Sequence, residues 1–173
     1  VYAVKDNNVY VNLFMSNSST LDVNGKKVTI EQTTEYPWNG DIAIKVAASK
    51  AGQWAMKVRI PGWVRNQVVP SDLYEYSDNL RPQYSIEVNG VKVEGKLTAD
   101  GYFTIDRKWK KGDVVRVHFD MEPRTVRANG KVEADRGFVA IERGPVVYCA
   151  EWPDNDFDLM GALINQEPKM VVE

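Results

Sequence analysis

The sequence has very little cysteine and histidine and no strong excess of charge. Its 173 residues include a single cysteine, Cys149, so an intrachain disulfide is impossible and a cysteine-based metal site is not expected. A formal net charge of −2 gives no electrostatic footprint for nucleic acid. No apolar run approaches the ~18 residues that a membrane-spanning helix requires. We therefore predict neither nucleic acid nor a membrane as a partner.

What the sequence does contain is a series of short alternations of apolar and polar residues. The strongest lies between Gln53 and Trp63, where Trp54, Met56 and Val58 alternate with small or charged side chains. A period of two predicts a strand with one buried face, and this strand is expected to be central in its sheet. A proline and a glycine follow it, which predicts a sharp bend that folds Trp63 back over the core.

Turn signals separate further strands of this kind. The residues around Asn7 predict a turn between the segments Val1–Lys5 and Val9–Phe14. The pairs Asn24-Gly25 and Asn89-Gly90 predict two more hairpins, because Asn-Gly tolerates the positive φ angles of a type I′ turn.

Later segments complete the predicted fold. Tyr102–Asp106 and Val114–Phe119 are predicted to pair as a hairpin, and Asn66–Gln83 is interpreted as a long loop, either an insertion or a functional loop. Alternation is lost after Pro153, where Phe157–Ile164 is predicted to form a short helix. About ten short strands and no long helix predict an all-β fold, an antiparallel β-sandwich that is jelly-roll-like. We expect residues 1–173 to form a single unit.

Three places carry residue types that are used in chemistry, and each has a simpler interpretation. The stretch from Asp154 to Asp158 has the oxygen spacing of a calcium loop, but Leu159 and Asn165 stand where that loop needs glycine and glutamate, which favours a solvated acidic loop. His118 is expected to be a solvated residue on a polar strand face rather than a general base. Cys149 is expected to be an inert core residue rather than a nucleophile. No metal site and no catalytic residue are predicted.

The tryptophans are the best candidates for ligand binding. Trp38 lies in a turn that could present its indole to solvent, and Trp63 and Trp152 also lie at strand ends or turns. Exposed indoles stack on the apolar faces of sugar rings, so these three are the predicted carbohydrate-binding residues. The alternative, which we favour, is that such rings close the ends of the sandwich or pack against a partner domain.

Several short phrases stand in a fixed order along the chain. They are VYVNLF from Val9 to Phe14, YPW from Tyr36 to Trp38, VRIPGW from Val58 to Trp63, VNG from Val88 to Gly90, GY at Gly101 and Tyr102, RKWKKGD from Arg107 to Asp113, and IERGPVVYC from Ile141 to Cys149. In this order they resemble the region that follows the catalytic barrel in glycoside hydrolase family 127, the β-L-arabinofuranosidase family. The resemblance covers about Tyr2 to Asn155.

The resemblance implies that catalysis belongs to another part of such enzymes. In that family an (α/α)6 barrel carries a glutamate acid and a cysteine nucleophile at a zinc centre, and none of the barrel's motifs occurs in this sequence. The resemblance therefore assigns no catalytic residue here, gives Cys149 no zinc-binding role and implies no cofactor in this chain, although the parent enzyme would bind zinc in its barrel. It implies a middle β-domain at about residues 1–122 and the start of a C-terminal β-region at about 123–173.

From these observations we expect a non-catalytic β-sandwich region that braces the barrel of an arabinofuranosidase-like glycoside hydrolase. The chain begins at Val1 with neither methionine nor a signal peptide, which favours a piece of a longer protein. Its expected partners are that barrel and arabinose-containing glycans, and analogy with exported relatives implies a periplasmic or extracellular location. One alternative is a free-standing carbohydrate-binding module that uses exposed tryptophans; another is an adhesive sandwich that binds proteins.

Overall fold

The computed structural model describes residues 1–165 and 170–171, and strands dominate it. In chain order the strands are β1 (Tyr2–Lys5), β2 (Asn8–Val11), β3 (Asn17–Val23), β4 (Lys26–Thr34), β5 (Asp41–Ser49), β6 (Gln53–Arg59), β7 (Tyr74–Tyr76), β8 (Tyr84–Val88), β9 (Val91–Lys92), β10 (Tyr102–Lys108), β11 (Val114–Phe119), β12 (Pro123–Ala128), β13 (Val139–Arg143) and β14 (Val146–Tyr148). The helical elements within these residues are 3₁₀ turns at Trp63–Arg65, Glu133–Asp135, Trp152–Asp154 and Leu159–Gly161. None of the described helices has the length and apolarity needed to cross a membrane. The predicted all-β class is confirmed.

Two sheets pack together as a sandwich. One has the strand order β1-β2-β6-β10, and the other has the order β3-β4-β5-β11-β8-β9. Pairing in them is mainly antiparallel, although β2 and β6 run parallel. β6 lies inside its sheet as predicted, and its side chains Trp54, Met56 and Val58 are buried. The predicted antiparallel sandwich is confirmed.

The core lies between these two sheets. Val9 and Met56 from the first sheet and Ile30 and Ile44 from the second are fully buried in one hydrophobic cluster. Removing each such side chain from water stabilises the fold by roughly 1.5–3 kcal/mol. Trp109 packs on Trp54 in this cluster, with ring centroids 5.3 Å apart, so Trp109 is a core residue.

Three predicted hairpin turns are confirmed. The residues Asp6 and Asn7 between β1 and β2 both have positive φ angles, and so do Asn24-Gly25 and Asn89-Gly90. Two consecutive left-handed residues give a turn whose twist matches that of the flanking strands, and this is why these sequences specify hairpins.

The predicted hairpin between Tyr102–Asp106 and Val114–Phe119 is wrong. β10 pairs with β6 in the first sheet, whereas β11 pairs with β5 and β8 in the second. The connection between them crosses from one sheet to the other, and two buried residues in it fix its path. Trp109 is buried, and buried Asp113 accepts hydrogen bonds from the Asn89 side chain and the Lys110 backbone, both at 2.9 Å.

A third, smaller sheet has the strand order β14-β13-β12-β7. β7 lies within Asn66–Gln83, so the prediction that this stretch is entirely a loop is wrong for Tyr74–Tyr76. These residues pair with β12 much later in the chain, and no local pattern in the sequence reports that pairing. β7 thereby connects the first half of the chain to the third sheet, while the assignment of residues 1–173 to a single unit stays a prediction.

The predicted helix over Phe157–Ile164 reduces to one 3₁₀ turn at Leu159–Gly161. Asp158 caps this turn by accepting a hydrogen bond from the Met160 backbone at 3.0 Å. Leu163, which a packed helix would bury, is 97% exposed. The helix prediction is therefore wrong beyond a single turn.

Candidate functional site

A cleft of about 590 Å³ lies between the end of the sandwich and the third sheet. Residues that follow β2 and β6 form one wall, and one face of the third sheet contributes the other. Characteristic lining side chains are Leu13, Phe14, Pro61, Trp63, Val126, Ala140, Glu142 and Val147. Ligand sites of this size occur preferentially where two structural units meet. This cleft, the docking cleft, is therefore the candidate functional site.

Aromatic side chains form the sandwich wall of the docking cleft. Trp63 is 9% exposed, its Nε1 lies 3.4 Å from the Tyr36 hydroxyl, and its ring meets Phe119 edge-on at 5.7 Å between centroids. The turn that places Trp63 depends on Gly62, because a Cβ there would come within 2.9 Å of the Gln67 backbone oxygen. Edge-on aromatic pairs contribute roughly 0.5–1.5 kcal/mol beyond their burial, so this wall is firmly packed.

A buried arginine joins the long loop to the third sheet beside the cleft. Arg124 is 3% exposed, and its Nε and Nη2 donate to the Asp78 carboxylate at 2.7–3.1 Å. Nη2 also donates to Asn66 Oδ1 at 2.8 Å, and the guanidinium carbon lies 3.4 Å from the centre of the Tyr76 ring. Forked charge-assisted hydrogen bonds with stacking on an aromatic ring are the interactions to which arginine is best suited.

Arg124 and Asp78 carry no sequence signal that marks them as partners. They lie 46 residues apart, and no spacing rule links a carboxylate in a loop to an arginine in a distant strand. The one available signal was the length of Asn66–Gln83, which is typical of either an insertion or a functional loop.

The Tyr76 hydroxyl donates a hydrogen bond to Glu142 on the cleft side of the third sheet. Burial, and then the hydrogen bond and charge of Glu142, raise the pKa of Tyr76. Burial also raises the pKa of Glu142 above its ordinary value, although the hydrogen bond from Tyr76 and the charge of Arg124 oppose this. Tyr76 therefore remains a hydrogen-bond donor at neutral pH, and Glu142 accepts from it.

Few charged groups line the docking cleft. Glu142 is the one carboxyl group among its described lining residues, and it is already hydrogen-bonded to Tyr76. Arg59 and Arg65 also line the cleft, and the rest of its walls is largely apolar.

His118 lies in a second depression, of about 600 Å³, on the outer face of the six-stranded sheet. Its Nδ1 lies 2.7 Å from Asp41 and its Nε2 3.3 Å from Asp120. The hydrogen bond with Asp41 raises the pKa of His118; partial burial opposes the rise, and the charges of both aspartates reinforce it. His118 is exposed on the polar outer face, as predicted, and its ring is in addition held by two carboxylates. Asp41 comes from another strand, so sequence spacing could not reveal it.

The three predicted carbohydrate-binding tryptophans have different surroundings. Trp38 is 70% exposed and Trp152 is 58% exposed, whereas Trp63 is largely covered in the docking cleft. No ring contact or hydrogen bond between their side chains joins any two of them within the described residues. Their role in binding sugar stays a prediction.

Cys149 is exposed, and the expectation that it is a core residue is wrong. β14 ends one residue earlier, and the thiol lies 3.6 Å from a carboxylate oxygen of Glu151. In the part of the chain that the structure describes, no group of three or more histidine, cysteine, aspartate and glutamate side chains is placed to hold a metal ion. The residues present therefore do not fit the zinc centre that the resemblance implies for the barrel.

Two family models match this chain. The model of the beta-L-arabinofuranosidase GH127 middle domain matches residues 8–121, and that of the glycoside hydrolase family 127 C-terminal domain matches residues 123–173. A curated relative, the non-reducing end beta-L-arabinofuranosidase of Bifidobacterium longum subsp. longum, is 34% identical over 137 residues, which are 76% of this chain and 18% of the relative.

Solved structures show the same relationship. A GH127 beta-arabinofuranosidase superposes with a TM-score of 0.86 at 60% identity, covering 92% of this chain and 25% of that one. A GH127 beta-L-arabinofuranosidase from Geobacillus stearothermophilus T6 superposes with a TM-score of 0.70 at 30% identity, and the match covers 84% of this chain and 20% of that one. This chain thus spans a quarter or less of the length of these relatives. The predicted resemblance is confirmed, and the chain belongs to glycoside hydrolase family 127.

Proposed function

We propose that this chain is a non-catalytic β-sandwich accessory region of a β-L-arabinofuranosidase-like glycoside hydrolase and that it braces an (α/α)6 catalytic barrel. The matches to the middle and C-terminal domain models, and the much greater length of the relatives, support this proposal. The observation that carries it is the docking cleft, whose walls combine packed aromatic rings with exposed apolar side chains. By analogy with exported relatives, we propose a periplasmic or extracellular location.

Exposed apolar side chains of both walls favour a protein partner for the docking cleft. Leu13 on the sandwich wall is 55% exposed, and Val147 on the third-sheet wall is 64% exposed. Single exposed apolar residues are ordinary, but several that line one cleft mark an interaction surface. Covering them would contribute about 25 cal/mol for each Å² removed from water.

A pair of valine variants tests the docking role. Val147→Asp places a carboxylate in the cleft, while Val91→Asp places one on the equally exposed edge strand β9, outside the lining of the cleft. Binding to the separately produced barrel region of the 60%-identical relative is measured by titration calorimetry. We expect Val147→Asp to weaken binding by about tenfold or more, because a docked carboxylate would be desolvated without a partner. Val91→Asp is expected to bind like the unaltered chain.

Three results would contradict the accessory role. They are the absence of barrel binding, an equal effect of the two valine variants, and turnover of 4-nitrophenyl arabinofuranoside by the purified chain. Circular dichroism of each variant checks that the sheets are retained. A variant that loses its sheet signal is replaced by Leu13→Asp, which probes the opposite wall of the cleft.

The second candidate function is a free-standing carbohydrate-binding module. The exposure of Trp38 and Trp152 favours it, because stacking on a sugar requires an accessible indole. Titration of the chain with arabinose-containing oligosaccharides distinguishes the two functions: binding that disappears in Trp38→Ala supports the module, and the absence of heat across a glycan panel counts against it.

A further inference from the structure

The outer face of the six-stranded sheet carries a polar groove at the second depression. Two rows of side chains cross three neighbouring strands here, and they are set by the strand register: Ser85, His118 and Asp41 in one row, and Glu87, Arg116 and Ala43 in the next. Directly paired residues on one face lie about 4.5–5.5 Å apart between Cβ atoms. The methyl side chain of Ala43 leaves room between its larger neighbours, and this room contributes to the depression of about 600 Å³.

One part of this outer groove is fixed and another part is free to bind. His118 is held between Asp41 and Asp120, which orients all three side chains. By contrast, Arg116 and Glu87, like Ser85 and Thr33, make no side-chain hydrogen bond to any described residue. The groove therefore presents both hydrogen-bond donors and acceptors whose capacity is unused.

The loop that carries Trp38 is fastened along the side of the outer groove. The Phe119 backbone donates to the Gly40 carbonyl oxygen at 3.0 Å, and this approach requires glycine because a Cβ there would collide with the Phe119 oxygen. Asn39 lines the groove next to Trp38, and Arg143 donates to the Trp38 carbonyl oxygen at 2.8 Å. The 70% exposed indole therefore projects from a loop that is held on both sides.

We propose that the outer groove, with Trp38 beside it, binds a neutral oligosaccharide. Sugar hydroxyls both donate and accept hydrogen bonds, which matches the free donor on Arg116 and the free acceptor on Glu87. Arg116 and His118 are set among carboxylates of Glu35, Asp41 and Glu87, so the groove does not favour an anionic ligand. Its volume lies within the roughly 300–1,000 Å³ that proteins use for small ligands.

This proposal deepens the second candidate function by naming its surface, and it is independent of barrel docking. The outer groove lies on the six-stranded sheet, and none of its lining residues lines the docking cleft. A chain that docks a barrel through the cleft would therefore leave the groove open to a glycan.

Four variants test the outer groove with arabino-oligosaccharides as the probe. Trp38→Ala and Arg116→Ala alter the groove, and the controls Phe157→Ala and Arg136→Ala alter an exposed aromatic residue and an exposed arginine outside its lining. Dissociation constants come from calorimetry, and the binding surface is mapped by amide chemical-shift changes. We expect each groove variant to bind about fivefold or more weakly, equivalent to roughly 1 kcal/mol, and each control to bind as the unaltered chain does.

Shift changes confined to β4, β5, β8, β11 and the Trp38 loop would support the proposal. It is overturned by the absence of saturable binding, by controls that weaken binding as much as the groove variants do, or by tighter binding of an oligouronate than of the neutral sugar. Barrel binding, measured in parallel on Trp38→Ala, is expected to be unchanged. The glycan titration therefore tests the groove proposal, and the barrel titration separately tests the accessory role.

Discussion

The sandwich and the third sheet of this chain are stabilised in different ways. Among the described residues, the buried hydrophobic side chains lie in residues 1–121 with one exception, Val126 of β12. The third sheet instead buries Arg124 and Thr125, whose partners lie in the long loop. The sandwich therefore depends on apolar burial, and the third sheet depends on a polar connection to the first half of the chain.

This difference shows why the third sheet requires its neighbours. Phe138, Val147 and Tyr148 of this region are each more than 40% exposed, so the sheet lacks an apolar core of its own among the described residues. Buried polar connections specify one arrangement but are costly when one partner is lost. We expect damage to the polar connection to stay within the third sheet, and damage to the core to reach the whole sandwich.

The largest effect is expected from Asp78→Ala. It leaves the guanidinium of Arg124 buried without its carboxylate, a change that costs about 3–5 kcal/mol at buried ion pairs. Hydrogen exchange is expected to show loss of amide protection in β12 and β13, with β6 and β11 still protected. The control Asp72→Ala lies in the same loop and removes an exposed pair with Lys131, so an effect within about 0.5 kcal/mol is expected. Equal losses in the two variants would mean that the arginine connection is unimportant.

Met56→Ala tests the sandwich in the same way. Met56 is fully buried in the central strand β6, and truncation of such a side chain costs about 2–5 kcal/mol because it leaves a cavity. Urea denaturation is expected to show destabilisation of the main unfolding transition. Met160→Ala, at a position that is 70% exposed, is the matched control, and a comparable loss there would contradict the assignment of the core.

The same contrast determines how much could be predicted from the sequence. β6 and the Asn-Gly hairpins were predictable because alternation and turn chemistry are local properties of the chain. The placement of β7 was not predictable, because Tyr76 pairs with Val126 of β12, which is distant in the sequence. The crossing from β10 in one sheet to β11 in the other was not predictable, since the sequence does not reveal that the ring of Trp109 enters the core. Trp63 was predicted to cover the core edge, but no sequence pattern indicated the roles of Glu142 in the docking cleft and of Arg124 beside it.

A smaller effect is expected from the pH dependence of the third sheet. Because burial raises the folded-state pKa of Glu142 above its ordinary value of 4.5, the folded state holds this proton more tightly than the unfolded state does. The contribution of Glu142 to the stability of the fold is therefore complete below pH 4.5, and it is lost as pH rises through the folded-state pKa. The half-exposed position limits the change to about 1 kcal/mol or less. Hydrogen exchange of β13 amides at several pH values should show this fall in stability with rising pH, and Glu142→Gln should remove it. If the pH dependence is unchanged in the variant, another titratable group causes it.

The smallest effect belongs to the sandwich, at His118. Asp41 and Asp120 raise its folded-state pKa above 6.5, so its contribution to stability is complete below pH 6.5 and is lost as pH rises through the raised value. With the side chain 51% exposed, we expect a few tenths of a kcal/mol. Urea denaturation at pH 5.5 and pH 8.5 measures it, with His118→Gln as the control that should abolish the difference. Because this is the only histidine in the sequence, no other imidazole can produce a change in that window. A loss of stability confined to lower pH would instead indicate that carboxylates cause it. The sandwich and the third sheet would then have the same pH dependence rather than separate ones.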